Sequence, residues 1–268
     1  MTHGLTSADI EAHWPRPEVR RISVKDLRGV LTAGWRDFKA APTQLLLLGA
    51  IYAVIGLIAA RVAFGAKLLP MLYPLVAGLG LVGPFLTVGF CELSRRREHG
   101  LPVSWRNVFD VFGSSSVGAI FGLGAVLLGI FVLWVGAAAS VYAATFGAAP
   151  VTHMDFLGRL FTTPEGWRLV VLGNAVGLLF AVVVLSLTVV AFPVLIDRHV
   201  GPFVAVETSL RVMRANPGPM AVWGLIILVA LALGSLPLFV GLAVVVPVLG
   251  HATWHLYRRT VVWEDARL

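Results

Sequence analysis

Two histidines near the carboxyl end are the residues whose spacing most resembles a ligand pair. His251 and His255 are four residues apart, so a helix places both imidazoles on one face. Two imidazoles at this spacing can hold a metal ion or a haem iron. However, no carboxylate or cysteine stands beside them, and Trp254 and Tyr257 are typical of a membrane interface. The pair is therefore read either as ligands or as packing histidines at a helix end, and no cofactor is predicted.

Asn174 is a polar residue within a long apolar stretch, in the segment Gly173–Gly177. A polar side chain inside a membrane is costly unless it is paired, and it can mark a transport pathway. Small residues four apart also let two helices approach closely, and an amide can then form a hydrogen bond across the contact. We interpret Asn174 as a packing residue.

Glu92 stands three and four residues before Arg95 and Arg96. This spacing places opposite charges on one helical face and predicts an ion pair at the end of an apolar stretch. The sequence contains no phosphate-binding glycine loop, nucleophile elbow or HExxH motif, so we predict that the protein is not an enzyme.

The composition shows which elements must position these residues. The chain is 58% hydrophobic and 13% charged, with a mean hydropathy of +0.87. Soluble domains average about 25% charged residues, so the solvent for this apolar excess is lipid. The net charge of +7 lies beside apolar spans and therefore indicates anionic lipid headgroups rather than nucleic acid. A membrane-protein partner or a homo-oligomer is also compatible with the sequence.

We predict an all-α membrane protein with six spans arranged as three hairpins. The spans are about 45–65, 68–91, 117–146, 166–196, 218–235 and 237–256. Seventeen of the 21 Lys and Arg residues fall on one side of this arrangement, which places both termini in the cytoplasm by the positive-inside rule. The connection 147–165 is then the largest external segment.

Each hairpin follows a short amphipathic helix, so the chain reads as three pseudo-repeats, about 23–97, 103–198 and 202–260. The apolar faces predicted for the three helices are as follows: Val24, Leu27, Leu31, Trp35 and Phe38; Trp105, Val108, Phe109 and Phe112; Phe203, Val206, Leu210 and Met213. Residues 1–22 are expected to form a disordered cytoplasmic tail, and residues 261–268 a second tail. The single membrane domain is therefore 23–260.

The basic residues beside these helices and span ends are predicted to contact lipid headgroups, unless the helices serve only as connectors packed under the bundle. These residues are Arg28, Arg36, Lys39, Arg95, Arg96, Arg97, Arg211, Arg214, Arg258 and Arg259.

Four polar residues are typical of helix starts. Ser23 with Asp26 forms a capping box, and Ser104 is a cap for the second amphipathic helix. Thr163 precedes Pro164 at the start of the fourth span, and Asn216 precedes Pro217 at the fifth.

Four motifs resemble an uncharacterised family of bacterial integral membrane proteins, a domain of unknown function. They are Gly34–Phe38, Glu92–Glu98, Arg214–Pro217 and Gly250–His255, so the resemblance covers roughly residues 20–260. Some members are labelled putative cytochrome c oxidase subunit. The resemblance implies a protein of the bacterial inner membrane and brings no catalytic residues with it.

The function expected from the sequence is that of a non-enzymatic membrane protein. It would be accessory to a membrane complex or act on the lipid environment. Two alternatives stay open: a transporter or channel for small solutes, and a haem- or metal-binding respiratory accessory subunit that uses His251 and His255.

Overall fold

A computed structural model of the chain shows a bundle built almost entirely from helices. The residues that it describes are 17–40, 74, 80, 83–85, 87–147, 153–198, 200–236 and 239–263. The predicted first span, 45–65, and most of the second, 68–91, lie outside the described residues.

The helices and strands follow one another in this order: β1 (Glu18–Val19), α1 (Val24–Lys39), α2 (Val88–Glu98), a 3₁₀ helix (Trp105–Gly113), α3 (Val117–Phe146), α4 (His153–Thr162), α5 (Pro164–Thr188), α6 (Ala191–Asp197), α7 (Pro202–Ala215), α8 (Pro217–Ser235), α9 (Leu242–Thr260) and β2 (Val261–Val262).

Among the described residues, three apolar segments are long enough to cross a membrane. They are Val117–Phe146, Pro164–Asp197 and Pro217–Ser235. The predicted third and fifth spans agree with the first and last of these to within a residue. The second comprises α5 and α6. The helix is interrupted between Thr188 and Ala191, because Pro193 has no N–H to donate to the carbonyl four residues earlier. The predicted sixth span, 237–256, overlaps α9, which is not one of these three segments and carries Arg258 and Arg259 in its last turn.

All four predicted helix starts are confirmed, since α8 also begins at Pro217 directly after Asn216, but the side chain of Asn216 does not cap the helix. The backbone N–H of Ser23 donates to Asp26 (2.8 Å), and that of Ser104 donates to Asn107 (2.8 Å). Thr163 accepts from the backbone N–H of Gly166 at 3.1 Å. The side chain of Asn216 instead holds the amino-terminal segment, since it accepts from the N–H of Ile22 (2.7 Å) and donates to the carbonyl of Arg20 (3.1 Å).

The two ends of the described chain pair with each other. Glu18 and Val19 of β1 lie antiparallel to Val262 and Val261 of β2. The expectation that residues 1–22 are wholly disordered is therefore wrong for 18–22, because their backbone donors and acceptors find partners in β2 and Asn216. The connection 147–165 likewise contains a helix, α4, rather than a simple loop.

The helices that pack most closely use small residues rather than the large apolar ones. A Cβ on Gly34 of α1 would lie 2.7 Å from Ala252 of α9, and one on Gly89 of α2 would lie 2.3 Å from Val108. On α7 the buried residues are Ala205, Thr208, Ser209 and Val212. Of the predicted apolar face of α7, Val206 and Met213 are partly buried against the core, but Phe203 is 78% exposed, because close helix approach selects small side chains.

The amphipathic segments pack in a cyclic order. The 3₁₀ helix packs on α2, which precedes it, and α7 packs on α5 and α6, which precede it. The first described helix, α1, packs instead on the last one, α9, so the three contacts together form a ring. This contact between α1 and α9 positions the polar residues described below.

Enlarging Gly34 should disrupt the α1–α9 contact. Gly34→Val places methyl groups against the backbone and Cβ of Ala252, and overpacking of this kind costs about 1–3 kcal/mol. We expect a lower unfolding temperature in mild detergent. Gly118→Ala, at a position with no atom within 4 Å of the added Cβ, is the matched control. An unchanged unfolding temperature for Gly34→Val would contradict the close packing.

Candidate functional site

A buried carboxylate at the end of α1, that of Asp37, is the centre of a polar cluster between three helices. Asp37 is 6% exposed. Its Oδ2 accepts a hydrogen bond from the hydroxyl of Ser94 at 2.6 Å and one from Nε2 of His255 at 2.9 Å. Arg97 donates to both the backbone carbonyl of Asp37 (2.7 Å) and its Oδ1 (3.2 Å).

His251 extends this cluster inward along α9. Its Nδ1 lies 2.8 Å from the hydroxyl oxygen of Ser94. A serine hydroxyl has only one proton, and that of Ser94 is donated to Asp37. The geometry therefore favours donation from Nδ1–H of His251 to Ser94, which gives a continuous chain of donors from His251 to Asp37. We call these five residues, Asp37, Ser94, Arg97, His251 and His255, the Asp37 cluster.

The close contact of α1 with α9 is what brings the cluster together. Gly34 and Asp37 are three residues apart on α1, so they lie on the same helical face. On α9, Ala252 and His255 are likewise three residues apart and lie on one face. The absence of a side chain at Gly34 lets the two helices approach until the carboxylate of Asp37 reaches His255.

The surroundings of Asp37 favour its charged form. Burial by itself raises the pKa of this carboxyl, but the hydrogen bonds from His255 and Ser94 outweigh it, with a further contribution from nearby histidine charge. The net effect lowers the pKa from its usual 3.8 to about 2. Asp37 is therefore a carboxylate at every physiological pH.

Two further groups of hydrogen bonds flank the cluster. Glu98 at the end of α2 accepts from the indole of Trp254 and from Arg258 of α9, both at 2.8 Å. Next to Trp254 on α9, Tyr257 donates to Asp197 at 2.5 Å and accepts from the indole of Trp263 at 2.8 Å. Polar contacts thus join α9 to α1, α2 and α6 at one end of the bundle.

The predicted histidine pair is found on one side of α9, with each imidazole hydrogen-bonded within the protein. Ser94 and Asp37 lie against His251 and His255 respectively. Among the described residues, no group of three or more His, Cys, Asp or Glu side chains is placed to hold a metal ion. The geometry of the pair accords with hydrogen-bonded packing at the helix end.

The predicted lipid-facing basic residues fall into two groups. Arg95, Arg96, Arg97, Arg258 and Arg259 each form an ion pair inside the protein, with Glu92, Asp110, Asp37, Glu98 and Asp26 respectively. The pair of Glu92 with Arg95 confirms the ion pair expected from their spacing. By contrast, the side chains of Arg28, Arg36, Lys39 and Arg214 are exposed, and that of Arg211 is half-buried.

Asn174 is exposed on α5 and donates to the carbonyl of Val170 on its own helix at 2.8 Å. Of the two flanking glycines, only Gly177 makes a close helix contact, against the ring of Trp134, while Gly173 has no atom within 4 Å of an added Cβ. The structure thus places Asn174 beside a helix contact and away from the Asp37 cluster.

Asp37 and Ser94 were not selected from the sequence as site residues. The available signal was the position of Asp37 on the buried face of α1, seven residues after Val30 and next to Phe38, where a charged residue needs a partner. The partners lie 57 and 218 residues away along the chain, so local spacing does not reveal them.

The chemistry that this arrangement supports is structural. Ser94 is 1% exposed and His251 is 1% exposed, so a substrate has no access to the hydroxyl or the inner imidazole. An ionised carboxylate that is buried and multiply hydrogen-bonded instead holds its donors in place. The cluster therefore fastens α1 against α2 and α9, while the opposite face of α1 stays exposed.

The apolar helices and the buried polar contacts at one end of the bundle define an integral membrane protein. Residues 71–197 match a family described as predicted integral membrane protein (DUF2189). The resemblance expected from the motifs is confirmed over that stretch, which includes Glu92–Glu98. No curated protein and no solved structure matches the chain.

Removal of the Asp37 charge should destabilise the protein. Asp37→Asn leaves the donors of Ser94, Arg97 and His255 without an anionic acceptor, and losing one partner of a buried charged cluster costs about 3 kcal/mol. We expect a lower unfolding temperature in detergent at pH 7. Asp110→Asn, which removes a more exposed carboxylate paired with Arg96, should change it far less.

The effect of Asp37 should also depend on pH with a defined sign. Because the pKa in the folded protein is about 2 and the usual value is 3.8, the stabilisation is complete above about pH 4. It is lost as the pH falls from about 4 to about 2. The unfolding temperature of the unmodified protein should therefore fall more steeply across this range than that of Asp37→Asn. Parallel curves would contradict the assignment.

Proposed function

We propose that this protein is a non-enzymatic protein of the bacterial cytoplasmic membrane that contacts anionic lipid through the exposed face of α1. It acts on the lipid environment or as an accessory to a membrane complex. The observation that carries the proposal is that the Asp37 cluster fixes one face of α1 and leaves a basic, tryptophan-containing face outside.

The exposed face of α1 has the composition of a membrane-surface helix. Trp35 is 44% exposed, and the ammonium group of Lys39 lies 5.9 Å from its ring centroid. Arg28 and Arg36 are exposed on the same helix. An indole beside several cations is suited to the boundary between headgroups and acyl chains, and each cation near an anionic leaflet contributes about 1 kcal/mol.

An open pocket lies at the edge of this face. It has a volume of about 240 Å³ and is lined by Gly29, Val30, Ala33, His255, Arg258 and Arg259. Gly29 and Ala33 are small and one helical turn apart, which leaves room beside the two arginines. Such a pocket is suited to part of a lipid headgroup, although Arg258 and Arg259 also pair with carboxylates of the protein.

We further propose six spans in three hairpins, with both termini in the cytoplasm. The pairing of β1 with β2 supports an even number of spans, since both ends of the chain then lie on the same side. The hydrogen bond of Arg258 with Glu98 supports placing the end of α2 on that side as well. The cyclic packing of α1, the 3₁₀ helix and α7 is what three equivalent repeats would produce.

Reporter fusions test the topology. Fusions at residues 100 and 205 should give a cytoplasmic signal from a fluorescent protein and none from a periplasmic phosphatase. A fusion at residue 150, in the external connection, should give the reverse. A phosphatase signal at 100 or 205 would contradict the proposed orientation.

Charge reversal on α1 tests the lipid role. We expect the triple variant Arg28→Glu, Arg36→Glu, Lys39→Glu to retain several-fold less phosphatidylglycerol than the unmodified protein, because repulsion replaces attraction at exposed positions. The measurement is native mass spectrometry of protein purified in mild detergent from membranes that contain both phosphatidylglycerol and phosphatidylethanolamine.

Arg159→Glu on α4 is the control, since Arg159 is exposed but lies in the external connection. Its phosphatidylglycerol content should match that of the unmodified protein. An equal content in the triple variant and the unmodified protein would contradict the lipid role of α1.

A further inference from the structure

Four aromatic side chains form a continuous exposed ladder from the 3₁₀ helix onto α3. Trp105, Phe109, Phe112 and Phe121 are 38%, 49%, 56% and 49% exposed. The ring centroids of successive members are 6.4, 6.2 and 5.8 Å apart. We call these four residues the aromatic ladder. Exposed apolar patches of this kind mark an interaction surface, because their contact with water is unfavourable.

The opposite side of the 3₁₀ helix is firmly attached to α2. Val108 packs into the notch at Gly89, where a Cβ would lie only 2.3 Å from it. Asp110 accepts from Arg96 at 2.8 Å and from the amide of Asn107 at 2.7 Å. The ladder therefore faces outward because the other side of the helix is already occupied. This attachment also accounts for a nine-residue 3₁₀ helix, which is longer than usual.

The far end of the ladder identifies what covers it. Phe121 belongs to α3, an apolar helix of membrane-spanning length whose exposed side chains include Val132 and Leu133, at 63% and 66%. In an integral membrane protein, the exposed side of such a helix is in contact with acyl chains. Phe112 is in ring contact with Phe121, so the same apolar medium continues onto the 3₁₀ helix.

The near end of the ladder has the polarity expected at the headgroups. The guanidinium of Arg106 lies 5.8 Å from the ring centroid of Trp105. Tryptophan and arginine are common at this depth, where a ring meets the acyl chains and a cation meets phosphate. The ladder thus passes from a polar end at Trp105 to an apolar end at Phe121.

We propose that the 3₁₀ helix is embedded in the bilayer interface, with the aromatic ladder against the acyl chains of the cytoplasmic leaflet. The partner is the hydrocarbon of the bilayer itself. The proposal rests on the membrane location and on the proposed cytoplasmic side, and it does not require the attraction of α1 for anionic lipid. The attachment differs from that of α1 because it depends on apolar contact and should persist without anionic headgroups.

Spin labels test this placement in the full chain. Phe109→Cys and Phe112→Cys are introduced separately into a Cys91→Ala background and labelled with a nitroxide. His99→Cys, at the exposed polar end of α2, is the control. Each protein is placed in nanodiscs of phosphatidylcholine alone, so that failure of the anionic-lipid role of α1 does not affect the result. Collision rates with oxygen report lipid, and those with a soluble nickel chelate report water.

We expect the ratio of the oxygen to the nickel collision rate to be several-fold higher for the labels at 109 and 112 than for the label at 99. High nickel accessibility at 109 and 112 would place the ladder in water and overturn the proposal. Low accessibility to both reagents would show that protein covers the ladder, either a second copy or a partner, and would also overturn it. Exposed positions were chosen so that labelling leaves the packing intact, and a monodisperse elution profile checks this.

Discussion

The buried charge of Asp37 is the constraint on which the arrangement of α1, α2 and α9 depends. An ionised carboxylate that is removed from water is tolerated only where donors surround it. Here the donors come from Ser94 and Arg97 on α2 and from His255 on α9. Three helices that are distant in sequence must therefore meet at one point. The low pKa of Asp37 has the same cause, because the hydrogen-bond donors stabilise the charged carboxylate more than burial destabilises it.

This constraint has a consequence for the surface of the protein. Once Asp37 and Gly34 fix the inner side of α1, Trp35 and Arg36 must point away from the bundle. The same division is found on the 3₁₀ helix, where Val108 faces α2 and Phe109 faces outward. On both segments, Trp35, Arg36 and Phe109 are thus left for the surroundings. This is the division expected of a protein whose solvent is largely lipid.

Part of the structure follows directly from local sequence. The spans at 117–146 and 218–235 are long apolar runs, and hydropathy alone delimits them. The starts at Ser23, Ser104 and Thr163 follow from side chains that bond backbone groups within three residues. The interruption before Pro193 was missed, because the run 166–196 is apolar on both sides of it.

The features that could not be foreseen depend on contacts between distant residues. The strands β1 and β2 have two residues each, too few to show any periodicity, and they form because the ends of the chain meet. The choice of buried face on α7 depends on close packing against α5 and α6, and so favours Ser209 over Phe203. The histidines were noticed for their spacing, but their carboxylate partner is supplied by α1.

The most direct test of this account is hydrogen–deuterium exchange of α1 in nanodiscs, with the unmodified protein compared with Asp37→Asn. The account predicts slow exchange over 24–39 in the unmodified protein and clearly faster exchange there in the variant, with residues 217–235 of α8 unchanged in both. Free exchange of α1 in the unmodified protein, or equal protection in the two proteins, would contradict the claim that Asp37 holds α1 against the bundle.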